Sequence, residues 1–90
     1  YGAVSEQTAI EMARGCLTAT GADYAIATTG ISGPTGATED KPLGLVYIAI
    51  ASRNEVVCNR YVFTTTRQQH QQRTANQALF DLYKLLSKNH

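Results

Sequence analysis

The sequence predicts an α/β fold, a layered α-β-α sandwich with the order helix, three strands, helix. Three observations support this fold: an amphipathic helical pattern near the N-terminus, two β-rich runs separated by a short polar turn, and a leucine-bearing helical stripe near the C-terminus. Ninety residues, of which 43% are hydrophobic and 17% charged, suit one small globular domain. We therefore assign residues 1–90 to a single domain.

The first helix is predicted from Glu6 to Thr20. Ser5 occupies the position of an N-cap, and Gly21 lies just past the helix end, where a left-handed residue is common. Apolar residues recur on one face at Ile10, Ala13 and Leu17. Gly15 lies inside the helix at a cost in helix propensity, so we expect it to mark a close contact with the sheet.

Three runs are predicted to be strands. Tyr24–Thr28 is short and apolar, which indicates a buried strand that leads into a glycine-rich loop from the end where α/β sheets bind ligands. Leu45–Ser52 and Val56–Phe63 are β-rich and form a predicted antiparallel hairpin, joined by Arg53, Asn54 and Glu55. Since Arg60 interrupts one face of the last run, we expect that strand at the sheet edge.

The last helix is predicted from Arg67 to about Ser87, with Thr66 as its cap. Its first half is polar, so we expect it to project beyond the core or to line a site, and we expect His70 to face solvent. The predicted buried stripe consists of Ala75, Ala78, Leu79, Leu82, Leu85 and Leu86.

The loop that follows the first strand carries most of the functional signal. Residues 28–44 read TTGISGPTGATEDKPLG, with glycine at positions 30, 33, 36 and 44 and several threonine hydroxyls. Such a loop lets backbone N–H groups converge on an anion. The same composition also fits an ordinary long connection, and the glycine spacing matches neither of the common phosphate-binding motifs. The residues alone leave a small anionic ligand and a plain connection both open.

Composition excludes several functions. A net charge of +1 does not favour binding to nucleic acid, and no run is long and apolar enough to span a membrane. Cys16 and Cys58 lack the spacing of a metal site or a disulfide framework, and we expect both to be small buried hydrophobes in a soluble, cytoplasmic protein. The seven carboxylates show no pairing typical of acid–base or metal chemistry and are expected mainly on a solvated face. We predict no metal and no cofactor.

The run ADYAIATTGISGPTGATEDKPLGLVYIAIA, together with the opening YGAVSE, resembles the C-terminal domain of the CinA proteins, a family that includes the PncC-type nicotinamide mononucleotide deamidases. The resemblance covers essentially the whole chain. It implies a nicotinamide-nucleotide amidase of the pyridine nucleotide cycle, which hydrolyses nicotinamide mononucleotide to nicotinate mononucleotide and ammonia. It also implies a small-molecule nucleotide as the partner, with a homodimer as one possible assembly.

The resemblance implies a set of substrate-binding positions. Thr29–Ile31 matches the family's T-G-I, and Lys41-Pro42 matches its K-P. This pair is either a point charge for the phosphate or a loop staple whose proline pre-sets the backbone before the strand that follows Gly44. Arg67 matches the arginine of the family's G-D-R, although Thr65-Thr66 replaces Gly-Asp here, and Arg73 matches its second arginine. The full predicted set is Thr29, Gly30, Ile31, Gly33, Thr35, Gly36, Lys41 and Arg67.

The family's catalytic motifs do not occur in these 90 residues. In the family, a T-A-E-S-C-T-G-G-like motif bears the nucleophilic serine and a Y-S-N-E-x-K-like motif bears the lysine that activates it. We therefore expect the chain to be the C-terminal portion of a longer protein, with no catalytic residue of its own. The alternative is a non-catalytic nucleotide- or phosphate-binding or assembly module of a competence/damage-inducible CinA-like protein.

Overall fold

The computed structural model describes residues 4–31 and 42–88 and confirms the predicted order of elements. Helix α1 spans Glu6–Thr20, strands β1, β2 and β3 span Tyr24–Gly30, Leu45–Ser52 and Val56–Val62, and helix α2 spans Arg67–Lys88. The α1 and β2 boundaries agree with the sequence prediction, and the others differ by one or two residues. In the described ranges, neither helix combines the length and apolar character needed to cross a membrane.

Helix α1 is capped as its sequence predicts. The Ser5 hydroxyl accepts the N–H of Thr8 at 3.1 Å, and Gly21, at φ 67°, donates its N–H to the Leu17 carbonyl at 3.0 Å. The expected sheet contact at Gly15 is wrong, because Gly15 is exposed and a Cβ built there meets nothing within 4 Å. Its position on the solvent side of the helix leaves the propensity cost without a packing benefit.

The sheet is antiparallel throughout, with the order β1-β2-β3. Strand β2 lies in the centre and is buried along most of its length, and the predicted edge position of β3 is confirmed. One helix packs on each face, which confirms the layered α-β-α arrangement and explains why β2 is almost uniformly apolar.

The two layers of core differ in side-chain size. The layer between α1 and the sheet contains small residues that permit a close approach: Ala9, Ala13, Ala27, Ala49 and Ala51. The layer toward α2 contains Ala78 and three larger residues, Val46, Ile48 and Phe63. Cys58 is half-buried beside the alanine layer, but Cys16 is exposed, so its predicted burial is wrong.

The buried face of α2 consists of His70, Ala78, Asp81 and Leu85, which recur at helical spacing. The predicted apolar stripe is therefore only partly right, because Ala78 and Leu85 are buried whereas Leu79 is 63% exposed. Two polar residues, His70 and Asp81, also lie on this buried face. Each of them has a specific hydrogen-bond partner, which is the condition for burying a polar group without a large penalty.

Asp81 is one of these two residues. Its carboxylate accepts the Tyr61 hydroxyl at 2.7 Å and the Gln77 side-chain amide at 3.0 Å, with the Asn59 amide at 3.4 Å. Asp81 is 5% exposed, so the expectation of a solvated carboxylate is wrong for this residue. Donors from both β3 and α2 converge on it, which fixes the position of the helix against the edge strand.

A tight turn leads into β2. The Leu45 N–H donates to the Pro42 carbonyl at 3.1 Å, and Gly44 has φ +90°, which is the pattern of a type II turn. Across the strand pair, the Ile31 carbonyl accepts the Gly44 N–H and the Ile31 N–H donates to the Leu45 carbonyl, both at 2.8 Å. Gly44 and Leu45 therefore both lie opposite Ile31, as in a β-bulge that contains glycine. Pro42 thus occupies the first position of this turn, where its carbonyl accepts the closing hydrogen bond.

Replacing Gly44 with alanine should lower the free energy of unfolding by about 2 kcal/mol or more. The positive φ disfavours any side chain, and a Cβ there would lie 2.4 Å from the Phe63 carbonyl oxygen. Urea denaturation of this variant beside Gly15→Ala gives a matched comparison. Gly15→Ala should raise stability by about 1 kcal/mol, and similar effects from the two variants would contradict the steric role of Gly44.

Stability should decline in alkaline solution. Burial, with help from the Asp81 carboxylate, raises the pKa of Tyr61 from 10.0 to about 12. Burial, with help from the Glu6 charge, raises the pKa of Cys58 from 9.0 to about 11. The folded state holds both protons more tightly than the unfolded chain does. The two protonated groups therefore contribute fully to the free energy of unfolding when the pH is below their pKa values in the unfolded chain. That contribution is lost as the pH rises through their pKa values in the folded protein.

Urea titrations at stepped pH values should thus show the unfolding free energy falling between pH 9 and pH 12. Tyr61→Phe removes one of the two protons and should flatten the part of this decline above pH 10. An unchanged slope in Tyr61→Phe would contradict the assignment of that part to Tyr61.

Candidate functional site

A groove lies where the end of β1 and the start of β2 meet the N-terminal half of α2. Its volume is about 450 Å³, and it is lined by Thr28, Gly30, Val46, His70, Gln71, Thr74 and Ala75. This size falls within the range of small-molecule pockets. From the polar first half of α2, His70 and Gln71 face this groove.

The lining of the groove is mainly apolar surface with a few polar groups, and it includes no Asp, Glu, Lys or Arg side chain. Thr28 and Thr74 provide hydroxyls and Gln71 an amide, while Val46 and Ala75 provide apolar surface. Such a lining can orient a neutral group through hydrogen bonds against an apolar wall. In the described residues, no three metal-ligating side chains come close enough together to hold an ion.

Thr74 carries an unusual hydroxyl. Its Oγ1 atom is buried and has no hydrogen-bond partner among the described residues. A buried hydroxyl without a partner costs about 1–3 kcal/mol relative to one that is bonded. Because Thr74 lines the groove, this hydroxyl is a group that a ligand or a further polar group could satisfy.

His70 is buried, at 5% exposure, and the expectation that it faces solvent is wrong. Its Nε2 lies 3.0 Å from the Gly44 carbonyl oxygen. A carbonyl oxygen can only accept, so Nε2 carries the hydrogen and donates it. The ring also makes an edge contact with Phe63, with 6.0 Å between ring centroids. This environment, which brings together an acceptor and an aromatic wall, accounts for the burial.

The two arginines of α2 have different surroundings. Arg67 is the first residue of the helix and is exposed, beside the cap formed by the Thr66 hydroxyl, which accepts the Gln69 N–H at 3.2 Å. The cap prediction is therefore confirmed. The Arg73 guanidinium lies over the Phe63 ring, 4.6 Å from its centroid, so this side chain packs on the domain.

The predicted residues at the end of β1 divide between the two faces of the sheet. Gly30 pairs with Val46 of the α2 layer and lines the groove, whereas Thr29 pairs with Tyr47, which packs against the α1 layer. Neighbouring strand residues point to opposite faces, which explains the division. Ile31 is buried, and its N–H is already bonded to Leu45.

Packing requires glycine at position 30. A Cβ there would lie 2.7 Å from the Leu45 carbonyl oxygen and 3.2 Å from the Val46 side chain. The backbone of β1 therefore approaches β2 too closely for any side chain. This close approach leaves backbone, and no side chain, at the groove wall.

The other predicted substrate-binding residues, namely Gly33, Thr35, Gly36 and Lys41, lie outside the described residues. The binding roles of all eight residues stay predictions. Sequence reasoning missed Thr74 as a lining residue, and it assigned His70 to solvent. The available signal was the four-residue spacing of His70, Thr74 and Ala78, which places them on one helix face.

Replacing Thr74 with valine should raise the free energy of unfolding by about 1 kcal/mol, because the change removes a buried unpaired hydroxyl and keeps the side-chain shape. Thr18→Val makes the same substitution at an exposed position of α1 and should have almost no effect. Urea denaturation of both variants measures the difference. A loss of stability in Thr74→Val would mean that the hydroxyl has a partner in solution.

Comparison with known proteins places this geometry in a family. The chain matches the CinA C-terminal domain over residues 1–86. It is 48% identical over 90 residues to a CinA-like protein of Chlorobium chlorochromatii and 49% identical over 88 residues to one of Fusobacterium nucleatum, covering 98% of this chain and 21% of the relative in each case. The chain thus spans about one fifth of the length of these curated relatives.

Solved structures share the fold. The competence/damage inducible protein CihA from Agrobacterium tumefaciens is 40% identical, with a TM-score of 0.87 over 94% of this chain and 53% of that chain. A competence-damaged protein (CinA) superfamily protein from Escherichia coli is 33% identical, with a TM-score of 0.88 over 94% of this chain and 49% of that chain. From its sequence match and its fold, this chain belongs to the CinA C-terminal domain family.

Proposed function

We propose that this chain provides the substrate-binding part of a nicotinamide-nucleotide amidase, which converts nicotinamide mononucleotide to nicotinate mononucleotide and ammonia. The observation that carries the proposal is the position of the T-G-I run, whose Thr29 and Gly30 end β1 where packing requires glycine. A hydroxyl and closely approached backbone at the end of a strand suit a small substrate that needs precise placement.

Hydrolysis of a carboxamide requires a nucleophile, a base, donors for the oxyanion and a grip on the remote part of the substrate. The nucleophile attacks the amide carbon and forms an acyl-enzyme. The C–N bond breaks as the amide nitrogen takes up the proton lost by the nucleophile and leaves as ammonia. Water then hydrolyses the acyl-enzyme and releases the acid. By resemblance, the serine and lysine for these steps belong to motifs outside these 90 residues. This chain contributes the binding groups.

The neutral and the charged parts of the substrate require different surroundings on the domain. The groove on the α2 side has an uncharged lining, which suits a neutral amide or ribose, and the phosphate requires a cation. Arg67 is exposed at the N-terminus of α2, where the guanidinium and the helix dipole both favour an anion. We therefore assign the phosphate to Arg67, with Lys41 as the further cation in the predicted set.

The complete polypeptide, bearing the serine and lysine motifs, should release ammonia from nicotinamide mononucleotide, and Thr29→Val should lower kcat/KM about tenfold or more through loss of the hydroxyl. Ammonia release by coupled assay measures both. Thr18→Val, at an exposed position of α1, is the matched control, and Thr28→Val makes the same change one residue earlier on the groove face of the sheet.

A loss confined to Thr28→Val would move the reacting group to the α2 face of the sheet. If the complete polypeptide releases no ammonia, the amidase assignment is wrong. Nucleotide binding that persists without ammonia release would then support the non-catalytic binding module.

A further inference from the structure

His70 makes one directional bond that links the start of α2 to the start of β2. Its Nε2–H donates to the Gly44 carbonyl at 3.0 Å across 26 residues of sequence, from a side chain that is 5% exposed. The same carbonyl oxygen accepts the Phe63 N–H at 2.9 Å. Both lone pairs of this oxygen are therefore engaged by donors from elements that are distant in sequence.

The link continues from Gly44 to the end of β1. The Gly44 N–H donates to the Ile31 carbonyl at 2.8 Å, and the Ile31 N–H donates to the Leu45 carbonyl at the same distance. Successive hydrogen bonds through Gly44 thus connect the His70 ring to Ile31, the last residue of the T-G-I run. Displacement of Gly44 would shift Ile31 and, one residue earlier, Gly30.

We propose that His70 is a positioning residue that holds the T-G-I end of β1 in place through Gly44. The inference rests on the proposed function, since it assigns His70 to the binding of the same nucleotide. His70 itself bonds to backbone, and it acts on the substrate through the alignment of Gly30 and Ile31. Two cavities, of about 450 and 310 Å³, both have His70 in their walls.

Two substitutions isolate the hydrogen bond. Gln carries its Nε2 the same number of bonds from the backbone as His does, so His70→Gln keeps the donor and loses the ring. His70→Leu loses both. Since the edge contact with Phe63 is absent from both variants, a recovery in His70→Gln over His70→Leu reports the restored donor to the Gly44 carbonyl.

Amide hydrogen exchange of this chain, followed by NMR, tests the link directly. In His70→Leu, protection of the Gly44 and Phe63 amides should fall about fivefold, which is the effect expected for one hydrogen bond. The Gly21 amide, which bonds to Leu17 at the end of α1, should keep its protection. His70→Gln should recover most of the protection, and equal protection in all three proteins would overturn the proposal.

The kinetic test uses the complete polypeptide with nicotinamide mononucleotide. His70→Leu should raise KM about fivefold with a smaller change in kcat, because misalignment weakens binding in the ground state and the transition state alike, and His70→Gln should lie closer to the wild type. A lower kcat with unchanged KM would indicate a smaller folded fraction and would overturn the positioning role. If the wild type releases no ammonia, the proposed function fails and the exchange experiment alone decides the link.

Discussion

The Gly44 peptide is the point on which the arrangement of the other elements depends. Its carbonyl accepts from Phe63, just after β3, and from His70 of α2, its N–H donates to Ile31, just after β1, and its positive φ turns the chain into β2. Neighbouring Phe63 backbone leaves no room for a side chain at this position. Four of the five elements therefore meet at one residue, and a change at any of them is transmitted to the others as a shift in hydrogen-bond geometry.

A second consequence concerns the way α2 is held on the sheet. Its layer of apolar contact is thin, and its buried face includes His70 near one end and Asp81 farther along. Each makes directional bonds to the sheet side, His70 to Gly44 and Asp81 to Tyr61 and Asn59. Directional bonds at two points along one helix fix both its rotation and its translation, which apolar contacts alone would define less sharply.

These same contacts separate what the sequence could predict from what it could not. Caps, helical spacing and β-rich runs are local signals, and they located both helices and all three strands to within two residues. The burial of His70 depends on an acceptor 26 residues away, and that of Asp81 on a hydroxyl 20 residues away. No local pattern records such partners. Polar residues on the buried face of α2 were therefore assigned to solvent, and the groove that His70 lines was only partly anticipated.

The geometry of β1 restricts where a substrate can lie. Thr29 and Gly30 are adjacent in sequence but lie on opposite faces of the sheet, because side chains alternate along a strand. A ligand that contacts both must reach around the end of the strand, since the sheet separates the two faces everywhere else. Ile31 stands at that end, with its N–H and carbonyl both held by β2 and its preceding turn. Because side chains alternate between the two faces of the sheet, a ligand that contacts both Thr29 and Gly30 needs the end of β1 to be held in place. The hydrogen bonds that converge on Gly44 hold it there.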